Sequence, residues 1–80
     1  MKREEVQERL NRLFQRVFDD DTIEIHAGMT AHDIPGWDSM MHVTLMVAVE
    51  DEFGVTFGSG EARRLQNVGG MIEAVCAKQG

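Results

Sequence analysis

The chain has 80 residues, a net charge of −6 and one cysteine, Cys76, so a single domain over residues 1–80 with a small, disulfide-free core is expected. It shows no apolar run long enough to span a membrane and no secretory pattern at the N-terminus, which makes cytoplasmic residence the natural expectation. Between Val17 and Ala62 stand ten of the fourteen acids and no Lys or Arg. That negative field argues against nucleic acid or an anionic membrane as partner, and leaves two readings: simple solubility, or recognition by proteins with basic docking surfaces.

From Lys2 to Phe18, apolar Val6, Leu10, Leu13, Phe14, Val17 and Phe18 recur at three- and four-residue spacing and predict an amphipathic helix. Glu4, Glu5 and Glu8 near its start and Arg16 near its end suit the helix dipole. Glu5 with Arg9 and Glu8 with Arg12 are expected as ion pairs one turn apart. Asp19-Asp20-Asp21 ends the helix. The stretch Thr22–Gly36 has no sustained period and is long for a bare connection. It is predicted to be an ordered loop with a helical turn near Thr30 to Asp33, anchored in the core by Ile25, Ile34 and Trp37.

Pro35-Gly36 is a turn signal, Asp38-Ser39 follows, and an apolar run then ends in Glu50-Asp51-Glu52-Phe53-Gly54. A second helix is predicted from about Ser39 to Phe53. Asp and Ser both cap helix N-termini well, because a side-chain oxygen accepts a free first-turn amide. A serine at that point also presents its hydroxyl to solvent, where those amides and the dipole favour an attached negative group. Ser39 therefore either caps the helix or carries a phosphodiester. The helix has two apolar arcs. Leu45, Met46, Val49 and Phe53 form one; Met40, Val43 and Val47, flanked by Glu50 and Asp51, form the other. The second arc is either a further buried face or an exposed patch rimmed by acids, which would mark an interaction site.

Val55 and Phe57 are expected to tuck into the core from a loop, and Gly58-Ser59-Gly60 to form a flexible break. A short helical turn is predicted from Glu61 to Leu65. Asn67 caps a last helix carrying Val68, Met71, Ile72 and Val75. Gly69 and Gly70 in its first turn cost about 1 kcal/mol each against Ala and predict a frayed start. The fold class is all-α: a small bundle of three main helices plus one short helix, with a long ordered loop between the first two.

His26, His32 and His42 match no common metal-ligand spacing and have no cysteine nearby, so no metal site is expected. His42 lies near the core stripe of the second helix and should be a partly buried polar residue with a hydrogen-bond partner. Ser39 lacks the Gly-x-Ser-x-Gly setting of a nucleophile, and His42 three residues on does not make a triad; no catalytic residue is assigned and the chain is not read as an enzyme. Gly58-Ser59-Gly60 lacks the lysine of a phosphate loop. Cys76, on the apolar edge of the last helix, is expected to be a structural thiol.

Taken together, Gly36-Trp37-Asp38-Ser39-Met40 resembles the attachment motif of acyl carrier proteins. The run Val43 to Val55, with its Glu50-Asp51-Glu52-Phe53-Gly54 end, is similar to that family's second helix, and Asn67-Val68 falls where its last helix begins. The resemblance covers nearly the whole chain. It implies that Ser39 bears 4′-phosphopantetheine, transferred from coenzyme A with Mg²⁺ by a phosphopantetheinyl transferase, and that Asp38 assists docking and metal placement in that step. It further implies a partner surface of Met40, Val43, Val47, Glu50 and Asp51, met by acyl- or aminoacyl-loading and acyl-using enzymes, and any acyl cavity between the second and third main helices. A monomer is expected. Met40 replaces the usual Leu, and Met41 and Thr44 stand where fatty-acid carriers are often acidic. These departures point to a specialised pathway, with an aminoacyl or D-alanyl carrier as the alternative. An acidic helical interaction module, with Ser39 as a mere cap, is the alternative from another class.

Overall fold

The computed structural model describes residues 1–79. Its helices are α1 (Arg3–Val17), α2 (Ser39–Phe53), α3 (Ser59–Arg64) and α4 (Val68–Gln79), and the long loop holds one 3-10 turn at Ala31–Asp33. The all-α class and the order of elements are as expected. α1 is the hub, packing against both α2 and α4. Its Val6, Leu10, Leu13 and Phe14 meet Leu45, Met46, Val49 and Phe53 of α2 and Val68, Met71, Ile72 and Val75 of α4 in one buried cluster. Full burial of an aliphatic or Phe side chain contributes about 1.5–3 kcal/mol, so these three stripes dominate the stability of a domain with no cross-link. No helix among the described residues is long and apolar enough to cross a membrane.

The loop from Thr22 to Asp38 is ordered by two kinds of tie. Ile23, Ile25, Ile34 and Trp37 are buried in the core, and the Phe14 ring meets the Trp37 ring edge-on with centroids 5.4 Å apart. Polar side chains of α1 satisfy the loop backbone: Asn11 Oδ1 accepts the Ile25 amide at 2.7 Å, Gln7 Nε2 donates to the Ile25 carbonyl and Gln15 Nε2 to the Ile23 carbonyl. Gln7, Asn11 and Gln15 stand four residues apart and so share one helix face. They serve as the pairing edge this loop would otherwise lack.

The loop is also fastened to the start of α4. Met29 and Ala27 carbonyls accept the amides of Val68 and Gly69 at 2.9 and 3.0 Å, and Asn67 Oδ1 accepts that of Gly70 at 2.6 Å. Thr30 and Asn67 form an isolated antiparallel bridge. The first turn of α4 is thus tied rather than frayed, a correction to the expectation from Gly69-Gly70. A side chain at Gly69 would put its Cβ 2.7 Å from the Ala27 carbonyl oxygen, so glycine is required for the close approach. A second correction concerns the Gly58-Ser59-Gly60 stretch, whose last two residues lie inside α3. A third concerns Arg9. It does not pair with Glu5 but reaches across to α2, where its Nε and Nη2 both bind Glu52 Oε2, at 3.0 and 2.8 Å, and Nη2 also binds the Glu52 carbonyl at 2.9 Å. Two donors from one guanidinium and a Phe53 ring 5.0 Å below it outweigh an exposed one-turn pair. Glu8 with Arg12 forms as expected, at 3.7 Å.

α1 and α2 end in the same way. The amide that follows a left-handed residue just past each end bonds back to a carbonyl five residues earlier, Asp20 to Gln15 and Val55 to Glu50. In α2 that residue is Gly54, at φ 65°; in α1 it is Asp19, at φ 51°. A β-carbon is disfavoured there. Asp19→Gly should therefore raise stability, by roughly 0.5–1 kcal/mol, read as a higher urea midpoint at unchanged slope. A second test concerns Glu52. The hydrogen bonds from Arg9 hold its carboxyl below the ordinary glutamate range, against an opposing effect of burial. A depressed folded pKa contributes stability above the unfolded titration range and loses it as pH falls through the folded value. Glu52→Gln should be less stable than the parent at neutral pH, and the gap in urea midpoints should close on acidification below the usual glutamate range.

Candidate functional site

The start of α2 is built by a turn. Trp37 donates its amide to the Ile34 carbonyl at 3.2 Å across Pro35-Gly36, and Gly36 sits at φ 89°, the pattern of a type II turn with Pro then Gly at its centre. This turn sends Trp37 into the core and leaves Asp38 at the helix N-cap. Asp38 is extended, its Oδ1 accepts the Met41 amide at 2.8 Å, and its carbonyl accepts the His42 amide at 2.8 Å. Ser39 is the first helical residue, exposed, and its hydroxyl has no hydrogen-bond partner among the described residues. Of the two adjacent cap-type residues, Asp38 does the capping and Ser39 is left over.

His42, one turn further on, locks this arrangement. It is only 6% exposed. Trp37 Nε1 donates to its Nδ1 at 3.0 Å, and its Nε2 lies 2.7 Å from the Ala62 carbonyl. Indole N–H can only donate and a carbonyl can only accept, so the ring is neutral with its proton on Nε2. One imidazole thereby joins the loop, α2 and α3.

Ser39 lines two clefts, which also share His42 and Gln66. One of about 250 Å³ is lined by Ala31, His32, Trp37, Asp38, Ser39, His42 and Gln66. The other, about 440 Å³, is lined by Ser39, His42, Val43, Arg63 and Gln66. Both lie beside the start of α2, and the larger also touches α3 and the link into α4. Gln66, Arg63 and His32 were not assigned to the site from sequence. The first two follow Ser39 by more than twenty residues, and only the His42–Ala62 bond reveals that α3 comes back to it.

The second arc of α2 faces solvent: Met40 is 82% exposed, Val43 64% and Val47 59%. These are the large apolar side chains that α2 leaves uncovered, beside the exposed Asp51. Glu50 is half-buried and one oxygen is already engaged, Oε2 accepting the Phe57 amide at 2.7 Å. No group of three His, Cys, Asp or Glu among the described residues could hold a metal ion.

No protein-family model matches the chain, and no curated protein matches it. Its structure is similar to the solution NMR structure of a holo acyl carrier protein from Geobacter metallireducens, with a TM-score of 0.84, 37% sequence identity, and coverage of 91% of this chain and 84% of that one. The chain belongs to the acyl carrier proteins.

As an acyl carrier protein it holds acyl groups for partner enzymes and is not a catalyst itself. The division of roles at the helix start can be tested on the unmodified protein. Asp38→Ala should lower stability by about 1 kcal/mol through loss of the cap. Ser39→Ala should change it by less than about 0.5 kcal/mol, as for a surface site without partners. Chemical denaturation of the two variants beside the parent distinguishes these outcomes.

Proposed function

We propose that Ser39 carries 4′-phosphopantetheine as a phosphodiester, placed there from coenzyme A by a phosphopantetheinyl transferase with Mg²⁺. The observation that carries this reading is the free hydroxyl: Ser39 is exposed at the first helical position while Asp38 supplies the cap. The residues present fit the group. A hydroxyl on the surface can be reached by a transferase, the first-turn amides of Ser39 and Met40 precede any intrahelical bond and favour a negative group beside them, and two clefts open at the attachment point. The arm supplies a thiol that holds the acyl group as a thioester. Asp38, with Oδ1 fixed by the Met41 amide, keeps a carboxylate beside Ser39 for transferase docking and metal placement.

Met40, Val43 and Val47 form the docking stripe, with Asp51 and the outer oxygen of Glu50 at its rim, for enzymes that offer an apolar groove edged by basic residues. With Met41 and Thr44 where bulk fatty-acid carriers are often acidic, the stripe is more apolar than charged. This favours partners of a specialised pathway, served by a cytoplasmic monomer.

Incubation with coenzyme A, Mg²⁺ and a broad-specificity transferase should add the mass of one phosphopantetheine, and Ser39→Ala should abolish the gain. An unchanged mass with an active transferase would favour an acidic interaction module without a prosthetic group. Val43→Asp should leave the fold and the mass gain intact and slow acyl transfer to partner enzymes by roughly tenfold or more, as loss of one central apolar contact of over 1 kcal/mol implies. Acyl transfer at the parental rate would remove Val43 from the docking surface.

A further inference from the structure

The two clefts beside Ser39 differ in charge. The smaller has the Asp38 carboxylate on its wall, and the larger has Arg63. Arg63 is the first cation after the long stretch from Val17 to Ala62 that has none. Among the described residues it forms no ion pair, whereas Arg3, Arg9, Arg12, Arg16 and Lys78 each have a carboxylate partner. Its backbone is nonetheless held in place. The preceding residue, Ala62, takes the hydrogen bond from buried His42, and Leu65 two residues on is buried. A fixed backbone thus holds an arginine without an ion pair in the lining of a cleft that Ser39 also lines.

We propose that Arg63 is a positioning residue that pairs with the phosphodiester on Ser39 and holds it on the α3 side of the attachment point. The inference rests on Ser39 carrying the arm. A phosphodiester brings a negative charge into the acidic part of a chain already at −6. A planar guanidinium can bind two of its oxygens at once, while the Asp38 side of Ser39 repels it. The pair is solvent-exposed, so it is screened by salt and biases position rather than stability.

The test uses the holo protein, with attachment verified first by mass. The ³¹P resonance of the phosphodiester is then recorded at low and high salt for the parent, Arg63→Gln, Arg63→Lys and Arg64→Gln. Arg64 shares the exposed end of α3 but does not line the cleft. Arg63→Gln should shift the resonance and remove its salt-dependent movement, Arg63→Lys should retain part of both, and Arg64→Gln should match the parent. An arm that is attached but gives the same resonance and salt response in parent and Arg63→Gln overturns the role of Arg63 and leaves Ser39 as the carrier. So do equal effects from Arg63→Gln and Arg64→Gln. Failure to gain mass overturns both.

Discussion

Both ring nitrogens of His42 are bonded, one by the indole of Trp37 and one to the carbonyl of Ala62, and the placement of Ser39 follows from that pair of bonds. Trp37 ends the turn that feeds α2, and His42 lies one helical turn inside it. With these two fixed to each other, the residues between them have little freedom. Asp38 must stand at the cap, and Ser39 must point away from the core. The third partner, Ala62, brings α3 alongside, so that Arg63 joins Ser39 in lining the larger cleft. A buried polar triad of this kind is sound only when each donor and acceptor is matched, and here each is.

Around this centre the chain is clipped together at its helix ends. The left-over amides of α4 are taken by carbonyls of the long loop, and the left-over carbonyls of α2 by Arg9 of α1 and Gln79 of α4. A small all-α domain without a disulfide has few other ways to fix its loops. The result separates a frame of paired polar groups from exposed side chains without a partner among the described residues, the Ser39 hydroxyl and the Arg63 guanidinium among them, and from the exposed apolar Met40, Val43 and Val47. The proposed carrier and docking roles fall on exposed groups of this kind, which can gain a partner without breaking a bond already made.

Much of this was legible in the chain because the signals were local. Pro35-Gly36 and Asp38-Ser39 mark the start of α2 and Gly54 its end, and the periodic apolar positions of α1 and α4 mark their buried faces. Which of Asp38 and Ser39 caps, and which arc of α2 is buried, could not be read locally. Both depend on how α2 is turned against α1, and that is set by packing. The missed features are all long-range. Arg9 finds Glu52 forty-three positions away, Gly69 is glycine because the Ala27 carbonyl lies against it, and Arg63 lines a cleft with Ser39 because His42 holds the residue before it. The ladder of Gln7, Asn11 and Gln15 looks like an ordinary solvated face until the loop backbone is laid on it.

If Ser39 stands outside the frame, then loading it should leave the frame as it was. Amide hydrogen exchange of the protein before and after phosphopantetheine attachment measures this directly. Met41 and His42, whose amides are held by Asp38, and the tied amides of Val68 and Gly69 should keep their protection, with changes confined to the residues lining the two clefts and the arm-bearing turn. Loss of protection at Met41 and His42 on modification, or a serine that accepts no arm, would contradict it, for Ser39 would then be part of what holds the helix start together.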